Sequence, residues 1–403
     1  MKDFFLLSLN NLRRRKLRSW LTTLGIFIGI AAVVALISLG QGLQNAIESQ
    51  FESFGSDKII IQERGLQGPP GSGTSKSTKL TENDVKIIGR IGGVEGVAGI
   101  LTKTAKVEHN EEINFVFIEG IPLASGEKEV LSFYEVEKGR DLKEGDKKKA
   151  LIGVRYPEGK VFDKKIDLGD KIKIEGVDFE IVGVLKRFGN PFDDSSIFVP
   201  KEIAKEIYGI IDEESMIYVK VENVDEMDFV KSEIEKELRK ERDEEEGKET
   251  FDVSTSEQIL ESFSNVFGIV QAVLVGIAAI SLIVGGIGVA NTMYTSVLER
   301  TKEIGTMKAV GAKNSDIMFL FLIESGLLGL IGGVIGVLIG LGLSKIAEYF
   351  ATVQLGTNLL QASASANLII GALIFSFLIG AISGVFPAMQ ASKLKPVDAL
   401  RYE

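Results

Sequence analysis

The chain has 403 residues, no cysteine, a single histidine and a formal net charge of −10. The lack of cysteine excludes disulfides, thiolate nucleophiles and cysteine-based metal sites. Residues 1–40 carry a net +5, residues 265–403 a net +1 and residues 41–264 a net −16. This distribution indicates a soluble acidic module inserted between hydrophobic ends. It argues against a nucleic-acid partner, because phosphate binding needs a concentrated basic surface.

The first hydrophobic segment follows a basic cluster. Residues 19–43 carry no charge, and the run 21–39 is long enough to cross roughly 30 Å of hydrocarbon as a helix. The cluster Arg13–Arg18 directly before it places residues 1–18 in the cytoplasm by the positive-inside rule. A cleaved signal peptide is the alternative, but its hydrophobic region spans only about 7–15 residues and ends in a small-residue cleavage site. We therefore predict a retained transmembrane helix.

Residues 44–262 are predicted to form a mixed α+β domain outside the cytoplasm. Thr81 and Asp84 stand at the N-cap and capping-box positions of a short helix. Alternating segments after it indicate strands, and a charged helix with an apolar stripe follows them. The predicted elements are helix 81–90, strands 94–100, 104–108, 113–118, 150–154, 171–174, 179–185, 196–199 and 217–221, and helix 225–246 with the stripe Val230, Ile234 and Leu238.

No cluster in this domain has the spacing of a catalytic or metal site. His109 lacks an accompanying nucleophile-elbow pattern, so we interpret it as a strand or surface residue. Residues 65–79 are rich in Gly, Pro and Ser, and 71–77 faintly resemble a phosphate loop. Ser75 stands where that loop needs glycine before its lysine, so we interpret the stretch as a linker. The domain is predicted to be a binding or coupling module without cofactor or metal.

Three further hydrophobic segments are predicted to be transmembrane helices, which gives a membrane α-helical protein with four spans and an inserted α+β extracytoplasmic domain. Basic residues concentrate in the segment between the second and third spans and in the tail, whereas Lys345 alone lies between the third and fourth. By the same charge rule both termini are cytoplasmic. The predicted boundaries are helices 263–296, 317–346 and 367–390, a cytoplasmic segment 297–316, an outside loop 347–366 and a tail 391–403.

Glycines recur at four-residue spacing inside these helices. Small residues one turn apart let helix backbones approach closely in lipid. We interpret them as helix-packing positions, and a sliding or dimer seam is the alternative. They are Gly25, Gly29, Gly332, Gly336, Gly340, Gly380 and Gly384.

The most informative stretch lies between the second and third spans. Residues 301–310 are predicted to form a short amphipathic helix with Ile304 and Met307 on its apolar side, and Gly311 ends it. A short helix at the cytoplasmic face suits docking to a partner protein. An ordinary interfacial helix that ties two spans together is the equal alternative on physical grounds.

A resemblance decides between these two interpretations. The run VGGIGVANTMYTSVLERTKEIGTMKAVGAK, residues 284–313, resembles the signature of the MacB/LolC/FtsX superfamily of ABC transporter permeases. The closing segment 384–403 is similar to that family's end, with Pro387, Ala388, Ala391 and Pro396 in the expected order. The basic start, the single anchor and the large inserted domain fit as well. The resemblance therefore covers the whole chain.

The resemblance implies that the short helix is a coupling helix that sits in a groove of a cytoplasmic ABC ATPase resembling LolD or the MacB ATPase. It also implies a second permease copy, identical or related, contact with membrane lipid, and an extracytoplasmic adaptor. ATP-driven closure would then move the inserted domain, so the chain itself is not expected to be an enzyme. The expected ATPase-coupling residues are Glu299, Arg300, Thr301, Lys302, Glu303, Ile304, Gly305, Met307, Lys308 and Gly311.

One departure separates the chain from the MacB branch, which usually carries its ATPase ahead of the first span. Only about 18 residues precede that span here, and no Gly-x-x-x-x-Gly-Lys-Ser/Thr occurs. We therefore expect a separate ATPase subunit, as in the LolC-like and FtsX-like branches. Two alternatives are an FtsX-like regulator of an extracytoplasmic enzyme without a transported substrate, and a sensor for peptide antibiotics. FtsX-like regulators usually have a smaller outside domain, and resistance permeases usually have ten spans.

Overall fold

The structure, a computed structural model, describes residues 16–64, 79–357 and 359–400. The basic residues Arg13–Arg15, the linker 65–78 and the tail residues 401–403 lie outside the described residues. The chain divides into two compact units. We call Met1–Gln44, Asn265–Thr352 and Leu360–Glu403 the membrane unit, and Asn45–Ser264 with Val353–Leu359 the inserted domain.

The elements alternate between long apolar helices and a region of short strands and helices. The helices are α1 Lys16–Phe54, α2 Glu82–Ile88, α3 Ser125–Val130, α4 Lys201–Tyr208, α5 Met227–Arg242, α6 Ser256–Glu299, α7 Thr301–Ala309, α8 Asn314–Phe350, α9 Ala366–Lys393 and α10 Pro396–Leu400. The strands are β1 Lys58–Glu63, β2 Val94–His109, β3 Glu112–Ile121, β4 Val136–Gly139, β5 Lys149–Ile152, β6 Lys171–Ile174, β7 Val177–Leu185, β8 Ile197–Pro200, β9 Met216–Val221 and β10 Phe251–Thr255.

Four helices, α1, α6, α8 and α9, are long and apolar enough to cross a membrane, which confirms the predicted fold class. Helix α6 starts at Ser256, several residues before the predicted span, and has 44 residues. At 1.5 Å per residue it is about 66 Å long, roughly twice the hydrocarbon thickness. Hydropathy predicts only the part of a helix that lipid surrounds, whereas backbone hydrogen bonding continues past it.

The membrane helices approach one another closely, and six of the seven glycines that the sequence singled out lie at these approaches. A Cβ added at Gly25 would lie 2.6 Å from the Cα of Gly285, and one added at Gly29 2.9 Å from Leu282. A side chain at these positions would therefore push α1 away from α6. Similar approaches, measured from an added Cβ, are Gly336 to Phe27 O (2.8 Å), Gly340 to Ala31 O (2.7 Å), Gly380 to Ser325 O (2.5 Å) and Gly384 to Ser325 Oγ, while Gly332 is buried in α8.

A buried ion pair joins the end of α6 to α8. Arg300 Nη1 donates to Glu324 Oε2 at 2.9 Å, and these side chains are only 13% and 9% exposed. The guanidinium also lies over the ring of Phe321, 5.5 Å from its centroid, and its Nε donates to Glu303 Oε2 at 2.9 Å. Charges this buried stabilise a structure only as long as both partners are present.

The inserted domain is built on one ten-stranded sheet with the order β10-β1-β9-β2-β3-β8-β5-β7-β4, and β6 pairs with β2 and β7. Strand β2 is central, because residues 94–100 pair with β9 and residues 101–109 pair with β3. The sequence predicted two strands here. They are one strand because pairing continues through Leu101–Lys103 onto β3.

Two predicted helices in this domain are confirmed. Thr81 and Asp84 form the reciprocal capping box of α2. On α5 the stripe Val230, Ile234 and Leu238 is completely buried, in the same apolar core as residues of β1 and β9. The amphipathic spacing of α5 therefore predicted correctly which face packs on the sheet.

A short piece of the connection between α8 and α9, Val353–Leu359, belongs to the inserted domain. The hydroxyl of Thr357 donates to the carbonyl oxygen of Gly189 at 2.8 Å, and both groups are buried. Gly356 next to it has φ +70°, a left-handed conformation that favours glycine. The sequence analysis placed this stretch in an outside loop and did not anticipate that it packs on the domain.

The carboxyl groups of Glu119 on β3 and of Asp193 before β8 have raised pKa values. Burial raises the pKa of Glu119 from 4.5 to about 7, although Thr102 Oγ1 donates to its Oε2 at 3.0 Å. Burial, and next the neighbouring Asp194 carboxylate, raise the pKa of Asp193 from 3.8 to about 6. The folded chain therefore binds these protons more tightly than the unfolded chain.

Replacing Glu324 by leucine should lower the free energy of unfolding by about 3 kcal/mol, because it leaves the buried Arg300 without its main carboxylate. The double variant Arg300→Met/Glu324→Leu should recover most of that loss. Thermal unfolding of the full chain in detergent measures both. The matched control is Lys345→Met, which removes an exposed pair with Glu348 and should cost less than about 1 kcal/mol. Equal losses for Glu324→Leu and Lys345→Met would contradict this role of the pair.

The raised pKa of Glu119 predicts that its contribution to stability falls as the pH rises from about 4.5 to about 7. Glu119→Gln keeps the neutral form at every pH, so it should raise the melting temperature at pH 8 more than at pH 5. The control is Glu135→Gln, because the hydrogen bond from Lys186 lowers the pKa of Glu135 and its titration lies below pH 5. A pH-independent effect of Glu119→Gln would disprove the assignment.

Candidate functional site

The short helix α7 follows α6 after a bend at Arg300. The Arg300 backbone has φ −107° and ψ 18°, outside the α-helical region. Thr301 is buried, and its hydroxyl lies 2.8 Å from the carbonyl oxygen of Leu298 and 3.1 Å from that of Val297. It satisfies a backbone acceptor that the end of α6 leaves without an amide partner. A threonine immediately after the bend therefore terminates one helix and starts the next.

Helix α7 is fastened at both of its ends. Near its start, Arg300 joins it to α8 through the pair with Glu324. Near its end, Lys308 Nζ donates to the carbonyl oxygens of Ser392 at 2.7 Å and Leu394 at 2.6 Å. A cation at the carboxyl end of α9 pairs with free carbonyls and with the negative end of the helix dipole. The short helix α10 also packs against α7.

The inner face of α7 carries the apolar residues Ile304 and Met307, which the sequence analysis included among the expected ATPase-coupling residues. Ile304 is completely buried, in the same apolar cluster as Ile317 and Phe321, and Met307 packs against that cluster. Ile304 is among the expected ATPase-coupling residues, but its side chain is not exposed to a partner in this structure. An amphipathic pattern identifies an apolar face but does not show whether that face contacts a partner or the chain's own helices. Gly305 is buried on this face too.

The outer face of α7 and the residues after it form what we call the α7 surface. Its members are solvent-exposed in the described part of the chain. Val310 is the most exposed apolar side chain of this surface, at 86%. Gly311 follows with φ +109°. The α7 surface consists of Glu299, Lys302, Glu303, Thr306, Ala309, Val310, Gly311 and Lys313.

Thr306, Ala309 and Val310 were missed by the sequence analysis, although a signal for them exists. Residues 302, 306 and 310 follow one another at helical four-residue spacing, and they oppose 301, 304, 305 and 308. A helical-wheel projection of residues 301–310 separates these two faces. The structure thus divides the expected coupling residues into an outer set and an inner set that fastens α7.

Elsewhere the described residues contain no group of three or more His, Cys, Asp or Glu side chains arranged to hold a metal ion. His109 lies at the end of β2, with Nδ1 3.1 Å from the carbonyl oxygen of Lys171 and Nε2 2.7 Å from Asn110 Nδ2. Its ring meets Phe162 edge to face at 5.9 Å. These contacts fit a residue that closes the end of a strand.

Two protein-family models and several full-length relatives match this chain. Residues 19–237 match the MacB-like periplasmic core domain, and residues 275–396 match the FtsX-like permease C-terminal domain. An uncharacterized ABC transporter permease of Methanocaldococcus jannaschii is 39% identical over 402 residues, covering 100% of this chain and 98% of the relative. The ABC transporter permease YknZ of Bacillus subtilis is 33% identical, covering 98% of each chain.

A third relative is longer. The macrolide export ATP-binding/permease protein MacB of Chlorobium phaeobacteroides is 33% identical over 96% of this chain, which spans 59% of that relative. Among solved structures, the extracellular domain of YknZ is 23% identical and covers 49% of this chain and 100% of its own, with a TM-score of 0.39. The two domain matches and the full-length relatives lead to one conclusion. The chain belongs to the family of ABC transporter permeases that combine a MacB-like periplasmic core domain with an FtsX-like permease domain.

Proposed function

We propose that this chain is the permease subunit of an ABC transporter, in which ATP hydrolysis by a separate cytoplasmic ATPase moves the extracytoplasmic inserted domain. The observation that carries the proposal is the division of α7 into an exposed face and a fastened face. Lys302, Thr306 and Val310 are available to a partner. The opposite side is held to α8 and α9 by Arg300 and Lys308.

This arrangement suits the transfer of force from a partner into the membrane helices. A displacement imposed on the α7 surface acts on α6 through the peptide chain, on α8 through the Arg300–Glu324 pair and on α9 through Lys308. Charge-assisted hydrogen bonds are short and directional, so they resist shear better than apolar contacts alone. All three helices would then respond together, and the substrate need not pass between them.

The α7 surface also has the composition of a protein interface. Val310 is the one large apolar residue among the described members of the α7 surface, which also carries charged residues of both signs, Lys302 and Glu303. Interfaces commonly place an apolar anchor inside a polar rim. We propose that Val310 is the apolar anchor of this interface, because Ile304, an expected ATPase-coupling residue, is buried. A second permease copy, surrounding lipid and an extracytoplasmic adaptor complete the proposed assembly, with both termini in the cytoplasm.

Val310→Asp should weaken co-purification of the ATPase subunit by at least tenfold, because it places a desolvated charge at the centre of the interface. The measurement is the ratio of ATPase to permease after affinity purification from cells that express both. The matched control is Ile211→Asp, since Ile211 is 92% exposed and lies in the inserted domain. If Val310→Asp retained the ATPase as Ile211→Asp does, the α7 surface would not be the docking site.

The proposed orientation can be tested because the sequence contains no cysteine. A single Ile211→Cys variant should react with a membrane-impermeant maleimide added to intact cells. A Lys313→Cys variant should react only after the cells are permeabilised, although Lys313 is also exposed. The reverse pattern of labelling would overturn the assignment of the inserted domain to the outside.

A further inference from the structure

A groove of about 470 Å³ lies in the inserted domain, away from α7 in the sequence. One wall consists of the four consecutive residues 114–117 of β3. Its other lining residues include Arg155, Lys160 and Phe192. No step of the proposed coupling mechanism uses this groove.

The first observation is that the groove follows the edge of a strand. Side chains alternate between the two faces of a sheet, so a pocket on one face is lined by every second residue of a strand. Four consecutive lining residues therefore indicate the edge. Strand β3 pairs with β2 along residues 112–120, but on its other side β8 pairs with it only from Ile118 onward.

The segment around Val161 closes one end of this edge. Asn114 Nδ2 donates to the carbonyl oxygen of Val161 at 2.6 Å, which fixes that segment beside the strand. Residues 115–117 lie between this closed end and the first residue pair with β8 at Ile118. The edge is thus open over a short length, enough for a few residues of an added strand.

The second observation is a cluster of phenylalanines. Phe115 is 72% exposed and Phe192 is 63% exposed, while the rings of Phe117 and Phe192 lie 6.2 Å apart at 55°. Burying an aromatic side chain stabilises a protein by roughly 25 cal/mol for each Å² of apolar surface. Three aromatic rings left around one groove therefore favour an apolar ligand.

The third observation is the charge of the groove. Among the described residues that line it, only Arg155 and Lys160 are charged, and both are basic, although residues 41–264 carry 48 acidic against 32 basic side chains. Glu158 pairs with Lys160 at 3.1 Å, but it also pairs with Arg187. Arg155 and Arg187 also interact electrostatically with the buried carboxylate of Asp194. The three cations Arg155, Lys160 and Arg187 therefore face two carboxylates, Glu158 and Asp194, which leaves the groove one positive charge in excess.

From these three observations we propose that the groove binds the apolar C-terminal end of an extended peptide, with its backbone along the edge of β3 and its terminal carboxylate at Arg155 and Lys160. The exposed strand edge favours a peptide over an acyl-chain anion, because only a peptide has backbone groups to pair with the strand. The phenylalanines receive its apolar side chains. The two basic residues select a free carboxyl end.

The carboxylate position adjoins the connection between α8 and α9. A Cβ added at Gly356 would lie 3.1 Å from Arg155 Nη1 and 3.8 Å from Lys160 Nζ. The same two side chains therefore line the groove and lie beside the segment Val353–Leu359 of the inserted domain. A carboxylate that draws Arg155 into the groove changes the contacts of this segment.

The test uses the full chain in lipid nanodiscs and a fluorescein-labelled hexapeptide Gly-Ser-Phe-Val-Phe-Leu, with either a free carboxylate or a C-terminal amide. Fluorescence anisotropy should show at least tenfold tighter binding of the free acid. Phe115→Ser and Phe192→Ser should weaken binding of both peptides by fivefold or more. Lys160→Gln and Arg155→Gln should abolish the preference for the acid. No ATPase or ATP is present, so the result is independent of the proposed function.

The matched control is Phe229→Ser on α5, because Phe229 is 60% exposed and does not line the groove. It should leave both affinities unchanged. Equal binding of acid and amide by the wild-type chain would overturn the proposal, as would a Phe229→Ser effect equal to that of Phe192→Ser. Displacement of the peptide by decanoate, below its micellar concentration and at equal or lower concentration than unlabelled peptide, would overturn it in favour of an acyl anion.

Discussion

The membrane unit depends on the guanidinium of Arg300. It is the point where α6 ends, α7 begins and α8 is contacted, through one carboxylate in each of α7 and α8 and the ring of Phe321. Arginine suits this position because its planar fork can bind two carboxylates and stack on an aromatic ring at once, which lysine cannot do. Without this anchor α7 would be held to α8 by the connecting residues 310–313 and by the apolar packing of Ile304 against Ile317 and Phe321.

The inserted domain has a comparable constraint in the length mismatch between β3 and β8. Strand β2 is long enough to serve both halves of the sheet, and β3 follows it for nine paired positions. Strand β8 has only four residues, so it cannot cover the remaining edge of β3. The groove beside Phe115 and Phe117 is the direct result of that mismatch. Sheets normally protect such an edge, and one left open beside aromatic side chains is typical of peptide-binding domains.

Much of this architecture could be predicted from the sequence, and the failures have physical causes. Hydropathy located all four membrane helices, because the cost of exposing polar groups to lipid is large and local. The capping box at Thr81 and the stripe on α5 were also predictable from short-range spacing. The orientation of Ile304 was not, since a nine-residue helix has an apolar face whatever it packs against. The Arg300–Glu324 and Thr357–Gly189 contacts join residues distant in sequence, and no local pattern reports them.

The chain passes from one unit to the other four times, after residues 44, 264, 352 and 359. The first two crossings flank Asn45–Ser264, which form the body of the inserted domain. The last two enclose only Val353–Leu359, whose place in the domain rests on packing and on the hydrogen bond from Thr357 to Gly189. A neutral hydrogen bond contributes about 1 kcal/mol, or about fivefold in an equilibrium constant. The short segment Val353–Leu359 therefore keeps its place in the inserted domain through non-covalent contacts, and the hydrogen bond from Thr357 is weak enough to break and re-form without any change in the covalent chain.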